Sequence, residues 1–327
     1  MPTIFENILE FFIIAELPTT SGFREQGLFY LFFHKFCVHP CHYPLVLLNF
    51  LYLNPMTHSR NSNQTKPNSI KSSSVKVDIC GIKVDKYSFD EVVDKIIDRA
   101  VSKRSPKYVV TPNAQHIVTL QKDNLFRKIY QNAFLTVPDG VSLLWAAKLF
   151  NTPLSERVTG IDLFERLCQN SAEIGLKIFL LGGRPGATQK ATDTLKKRYP
   201  NIQIVGTYCP PYGFESDQSE LEKINFAILS VKPDILFVGL GAPKQEYWIY
   251  KNYQNLNVPV SLGIGVSFEL VSGMVQRAPK FMQEIGLEWL FRLIVEPRRL
   301  WKRYLVGNTI FILLVLKQKF ISRDRKS

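Results

Sequence analysis

The chain predicts an α/β fold: a parallel sheet with helices on both faces. Three observations predict it. Past residue 75, short apolar runs of strand length alternate with segments of helical periodicity five or six times. Glycine, proline and aspartate punctuate the joins between them. Apolar residues make up 46% of the 327 positions, enough to bury two helix layers against a sheet.

The elements follow in order. Residues 77–84 form a strand pair turning at Gly81. Ser88-Phe-Asp-Glu91 is a capping box, so a helix begins at Phe89 and runs to about Lys103. A strand over 108–111 leads to a helix opened by Asn113 and running toward Leu120. A strand at 134–137 precedes a helix at 141–150, and a further helix covers 161–174. Then come strand 177–181, helix 187–198, strand 202–205, helix 220–230, strand 235–238, helix 244–253 and strand 258–264. Strands that alternate with helices lie parallel, and ligands then sit beyond their carboxyl ends.

Three regions emerge. Residues 1–75 are an extension without steady periodicity followed by a Ser/Asn/Lys linker, 76–276 are the α/β core, and 277–327 are a basic amphipathic appendage. Met56 stands just before the linker, and a start near it, with the preceding residues an over-extended frame, is the expected explanation of the first region, a membrane-associating extension being the alternative. Cys37, His39, Cys41 and His42 cluster there, but their spacing fits a chance grouping better than a zinc site. The five cysteines include no C-x-x-C pair, which points to a reducing compartment.

The net charge is +13, and it is unevenly placed. From Arg277 onward there are 12 Lys/Arg against 4 Asp/Glu, so the tail expects an anionic partner. There Leu287, Leu290, Phe291 and Ile294 share one helical face, Pro297 interrupts or restarts the helix, and basic residues interleave with Trp301, Tyr304 and the apolar run 310–316. That pattern suits an interfacial membrane helix; the apolar run disfavours nucleic acid, and a buried closing helix is the alternative. No apolar run reaches the ~20 residues of a bilayer span, and Glu6 and Glu10 stand where a signal peptide is basic. The expected location is cytoplasmic and peripheral.

Five polar or glycine clusters fall at the ends of predicted strands: Thr111-Pro-Asn113, Pro138-Asp139-Gly140, Gly182-Gly183-Arg-Pro-Gly186, Gly239-Leu-Gly241-Ala-Pro-Lys244-Gln245-Glu246 and Gly263-Ile-Gly265. Five on one predicted edge indicate one shared site. Gly182–Gly186, between strand and helix, can cradle a phosphate or simply turn tightly. A dinucleotide enzyme needs an acid at the end of the next strand, and residues 202–207 have none. Asp139 can act as a general base or as a helix N-cap. Gln245 and Glu246 open a helix, either toward a ligand or toward solvent, and His116 fits a packed or solvated residue better than a base. No D-x-D occurs, so a departing diphosphate would depend on cations such as Arg292, Arg298, Arg299 and Arg303 rather than on a metal.

Together these segments resemble the WecG/TagA/CpsF family of bacterial glycosyltransferases. The resemblance is carried by Thr111-Pro-Asn113, Pro138-Asp-Gly-Val141, Glu156-Arg-Val-Thr-Gly160, Phe179-Leu-Leu-Gly-Gly183, Gly239 to Glu246, Arg277-Ala-Pro279, Glu288-Trp289 and Glu296-Pro-Arg-Arg299, over about 77–308. It implies a Rossmann-like core, no metal or other cofactor, and inverting transfer of an N-acetylhexosamine, N-acetylmannosamine foremost, from a UDP-sugar to undecaprenyl-diphosphate-linked N-acetylglucosamine. Asp139 matches the proposed base, and Thr111, Asn113 and Gln245 line the same pocket. Arg157, Gly182, Gly183, Gly186, Gly239, Gly241, Lys244 and Glu246 are expected around the substrates. Arg292, Arg299 and Arg303 match the arginines of an appendage that closes over the site at the membrane. The implied partners are the donor, the lipid-linked acceptor and an anionic membrane surface, with no nucleic acid and a homo-oligomer left open. Val266 and Glu269 depart from the family's usual small residue and Asp, which leaves the donor sugar open. The rivals are a nucleotide-dependent oxidoreductase, which the missing ribose acid disfavours, and a non-catalytic membrane scaffold.

Overall fold

A computed structural model describes residues 76–324, with side chains to 321. The extension and linker, the 37–42 cluster and the Met56 start lie outside the described residues. Two antiparallel strands, β1 (Lys76–Ile79) and β2 (Ile82–Asp85), form the hairpin expected around Gly81. The main sheet has six parallel strands: β3 (Lys107–Val110), β4 (Leu135–Thr136), β5 (Lys177–Gly182), β6 (Gln203–Tyr208), β7 (Ile235–Gly239) and β8 (Val260–Gly263). Their order is β4-β3-β8-β7-β5-β6.

Eight helices surround the sheet: α1 (Phe89–Val101), α2 (Ala114–Leu120), α3 (Asn124–Gln131), α4 (Val141–Leu149), α5 (Gly160–Ile174), α6 (Ala187–Arg198), α7 (Gln218–Val231) and α8 (Lys244–Leu256). The capping box at Ser88 and Glu91 is present in full. One of the eight, α3, was not expected. Asp123 caps it, and Phe126, Ile129 and Tyr130 form its buried stripe, a three- and four-residue spacing hidden in a short polar segment.

Strand residues alternate between two cores. Val109, Leu262, Phe237 and Ile178 pack with α1, α5 and α6, while Tyr108, Val110, Leu236 and Phe179 pack with α2, α3, α4, α7 and α8. Thus α6 leaves β5 toward one face and α8 leaves β7 toward the other. The crevice between these two strand ends is a topological switch point, where open α/β sheets bind ligands. Behind it the fully buried Phe268, on the short helix α9 (Ser267–Val271), packs edge-on to Phe164.

The appendage is helical: α10 (Lys280–Glu284), α11 (Glu288–Val295), α12 (Pro297–Trp301) and α13 (Gly307–Asp324), the last two joined through a wide turn at Lys302–Val306. Of the two readings of Pro297, the restart holds: it occupies the first helical position, where its missing N–H costs nothing. What is corrected is the expectation that nothing here reaches the length of a span. The helix runs unbroken over Pro297–Ile321, 25 residues with a mean hydropathy of 1.4 in its most apolar window, and is long and apolar enough to cross a membrane. Counting apolar runs separately missed it. Its inner side is packed on the sheet's α2 face through Phe311 and Val315.

Truncating Phe268 removes the aromatic body under the ends of β5 and β7. We expect Phe268→Ala to lower stability by about 3–5 kcal/mol, read as the shift in a urea unfolding midpoint; a loss under 1 kcal/mol would show that the crevice does not rest on it.

Candidate active site

All five clusters sit on one edge, because β4, β3, β8, β7 and β5 are parallel and adjacent. The Asp139 N–H donates to the Pro112 carbonyl at 3.0 Å, and a Cβ on Gly140 would meet that of Asn113 at 3.2 Å, so the first two clusters are in contact. The Val158 N–H donates to the Pro138 carbonyl at 2.8 Å, which draws the Glu156–Gly160 segment beside them.

The N-cap alternative for Asp139 does not hold. Gly140 is the cap residue of α4 and no side chain closes it, so the Asp139 carboxylate is not committed there. It is half-buried. Burial pushes its pKa up to about 6; Arg292 opposes the rise, Glu288 adds to it, and Arg157 and Asp162 act in those same two senses. A carboxylate so poised is a better base than a free aspartate yet remains ionised at neutral pH. Asn113 is the cap instead: its Oδ1 accepts from the N–H groups of Gln115 and His116 at 3.1 and 3.3 Å, which leaves its NH₂ end as the group able to meet a substrate. Thr111 is buried at the end of β3.

The arginines come from both parts of the chain. Arg157 pairs with Glu288 at 3.7 Å, and Arg292 with the same carboxylate at 2.8 Å. Arg184, in the glycine turn, pairs with Glu296 at 3.5 Å, and Glu296 also holds Arg299. These pairs lay the appendage across the strand ends from β4 to β5. Half-buried Tyr304 feels the charges of Arg292, Arg303, Asp139 and Glu288, which places it in the same group. Arg299 and Arg303, with Lys122 and Lys302, line a cleft of about 490 Å³ between α2, the Ala242-Pro243 turn and the appendage. Sequence reasoning missed Arg184, Glu288 and Tyr304 as site residues. The four-residue spacing of Glu288 and Arg292 was the available signal; the long-range pairs left none.

The remaining expected residues divide. Gly182 and Gly239 are hydrogen-bond register partners, and a Cβ on Gly182 would stand 2.8 Å from the Gly239 backbone, so the close approach demands glycine. The Gly183 N–H donates to the Gly239 carbonyl at 2.8 Å and the Arg184 N–H to Glu269 Oε1 at 2.8 Å. A phosphate at this turn would therefore meet the region around Gly186, at the N-terminus of α6, rather than those two amides. Gln245 and Glu246 are buried, not a solvated helix start. The Gln245 amide accepts from the Gly265 N–H at 2.9 Å and donates to Glu246 at 2.9 Å, bracing the β7 and β8 turns. Burial lifts Glu246 to about 7, against its bond from Gln245 and the charge of Arg303. Lys244 is exposed and turned to Glu215 at 2.7 Å, over the Tyr212 ring, while Gly241 takes a left-handed turn. His116 is packed: burial drives its pKa down to about 3 and its Nδ1 meets the Tyr130 hydroxyl at 3.0 Å.

The family model described as Glycosyl transferase WecG/TagA/CpsF family matches residues 77–325. Curated relatives are named N-acetylglucosaminyldiphosphoundecaprenol N-acetyl-beta-D-mannosaminyltransferase. The chain is similar to the one from Bacillus subtilis strain 168, 32% identical over 228 residues, 69% of this chain and 86% of that protein. It is also similar to that of Staphylococcus aureus strain NCTC 8325, 28% identical over 251 residues, 76% and 95% of the two chains.

The raised acid gives a signed pH expectation. Activity should rise with pH through about 6 as Asp139 ionises. Asp139→Asn should lower turnover by ~100-fold or more and remove that limb from the pH–rate profile. Since the folded value lies above the ordinary 3.8, the ionised form opposes folding: stability falls as pH rises toward about 6 and is level beyond it. Above that pH the Asn variant should melt no lower than the parent. An unchanged turnover would remove Asp139 from the chemistry.

Proposed function

This chain belongs to the glycosyl transferase WecG/TagA/CpsF family and is a glycosyltransferase, and on that premise we propose that it transfers an N-acetylhexosamine, N-acetylmannosamine foremost, from a UDP-sugar to undecaprenyl-diphosphate-linked N-acetylglucosamine with inversion. The carrying observation is the uncapped, half-buried Asp139 carboxylate set among Arg157 and Arg292 at the shared strand edge. The names of the relatives supply the acceptor class and the sugar.

Asp139 takes the proton from the acceptor hydroxyl as that oxygen attacks the anomeric carbon of the donor. The bond from the anomeric carbon to the diphosphate oxygen breaks and UDP departs with the electron pair. Attack opposite the leaving group inverts the centre. Arg157 and Arg292, and Arg299 and Arg303 along the cleft, offset charge on the departing diphosphate, so no metal takes part. Thr111 and the Asn113 amide orient the sugars. Gln245 and Glu246 hold the turns that shape the pocket. The basic apolar helix over Pro297–Ile321 keeps the enzyme on the inner face of the plasma membrane, where such an acceptor is reached from the cytoplasm.

A screen of UDP-sugars against a short-chain lipid-diphosphate N-acetylglucosamine tests this directly, with UDP-N-acetylmannosamine expected to give the highest rate in the presence of EDTA. Failure of every UDP-sugar would overturn the donor class. Loss of rate in EDTA with recovery on adding Mg²⁺ or Mn²⁺ would replace the arginine account. Arg292→Ala and Arg303→Ala should each lower turnover by ~10²-fold on a soluble acceptor; an arginine whose loss changes only vesicle binding belongs to the membrane contact instead.

A further inference from the structure

The helix that follows Asp139 carries a second feature. One side of α4, Leu143, Ala146 and Ala147, is buried in the core. The opposite stripe holds Trp145, 56% exposed, Leu149, 42% exposed, and the exposed Lys148. Trp145 and Leu149 are one helical turn apart and share a face. An exposed tryptophan beside a leucine and a lysine suits the boundary between lipid headgroups and chains.

The stripe is continuous with a larger apolar surface. Lys319 on α13 donates to the Leu149 carbonyl at 2.5 Å, so the end of α4 meets the C-terminal helix. That helix packs Phe311 and Val315 into the same core that holds Leu143, Ala146 and Ala147. Its other side exposes Ile312, Leu313, Leu316 and Phe320, together with Lys317. Neither 141–149 nor 307–321 contains an acidic residue. Over these two stretches the surface is thus apolar and cationic without an acidic residue, which complements an anionic lipid surface.

We infer that α4 is a membrane contact made by the catalytic core itself, with Trp145 and Leu149 entering the headgroup boundary beside α13. The inference rests on the membrane placement under Proposed function and deepens it. It ties the base to the anchoring element: Trp145 lies on the helix whose first residue, Val141, follows Asp139 by two positions. The distance between base and lipid surface is then set by a rigid helix instead of by the appendage alone.

The test compares the full-length protein with Trp145→Ser/Leu149→Ser, and with Leu313→Ser/Leu316→Ser on α13 as a second variant. Sedimentation with phosphatidylglycerol-containing vesicles, thermal melts and transfer rates are read for each. Partition of the α4 variant into vesicles should fall about tenfold, as expected from losing partial burial of one Trp and one Leu. Its melt and its rate on a short-chain soluble acceptor should match the parent, while its rate on acceptor embedded in vesicles falls with partition. If the parent itself does not bind vesicles, the membrane placement fails and this inference with it. If the parent binds, the α13 variant is impaired and the α4 variant binds as the parent does, the tail alone makes the contact and only this inference is overturned. If the parent self-associates and the α4 variant becomes monomeric with unchanged vesicle binding, a second copy covers the face and the inference is likewise overturned.

Discussion

Parallel hydrogen bonding of β7 to both neighbours is the constraint on which the site depends. Ile235 to Gly239 pair with Ile178 to Gly182 on one side, and Ile235 to Val238 with Val260 to Gly263 on the other. The ladder continues past the strands, where the Gly183 N–H meets the Gly239 carbonyl and the Ile264 N–H meets the Val238 carbonyl. Backbones this close leave no room for side chains at Gly182 and Gly239, and Phe268 fills the space behind them. A parallel sheet needs cover on both faces, so the same pairing sends α6 and α8 to opposite sides and opens the crevice between their starting points.

Charge is distributed over that rigid edge in two layers. The core supplies the Asp139 carboxylate and two arginines, Arg157 and Arg184, among others. The appendage supplies Glu288 and Glu296, which engage those arginines, and carries Arg292, Arg299 and Arg303 with it. The carboxylates are not counter-productive in an anion-binding site. Each one holds a core arginine and an appendage arginine together, which concentrates cations that would otherwise repel. These pairs are partly exposed, so their worth lies in position more than in stability.

Buried polar groups at the edge have separable duties. Gln245 and Asn113 use their amides to fix turns, and His116 is locked neutral against Tyr130. Asp139 alone among the clusters named here is kept from such a duty by Gly140 at the cap. A carboxylate spared from capping but raised by burial can exchange a proton with a substrate.

The strand and helix alternation, the capping box at Ser88, and the gathering of five clusters on one edge were all present in the sequence, since each is a local pattern of spacing or turn chemistry. The family followed from ordered motifs over most of the chain. Helix α3 was equally local and was overlooked. What the sequence alone left undecided needed contacts between distant positions. Asp139 reads as a cap or a base until the helix start is seen to fall on Gly140. Gln245 and Glu246 read as facing a ligand or solvent until they are seen buried against the β8 turn. Pro297 reads as a break or a restart until it is seen at the first helical position, and only the wide turn at Lys302–Val306 makes one 25-residue helix of the segments that follow. The pairing of Arg184 with Glu296 joins residues 112 positions apart. Short-range periodicity fixes which elements form, whereas ion pairing, burial and the resulting pKa shifts depend on which elements meet, and only the packed chain decides that.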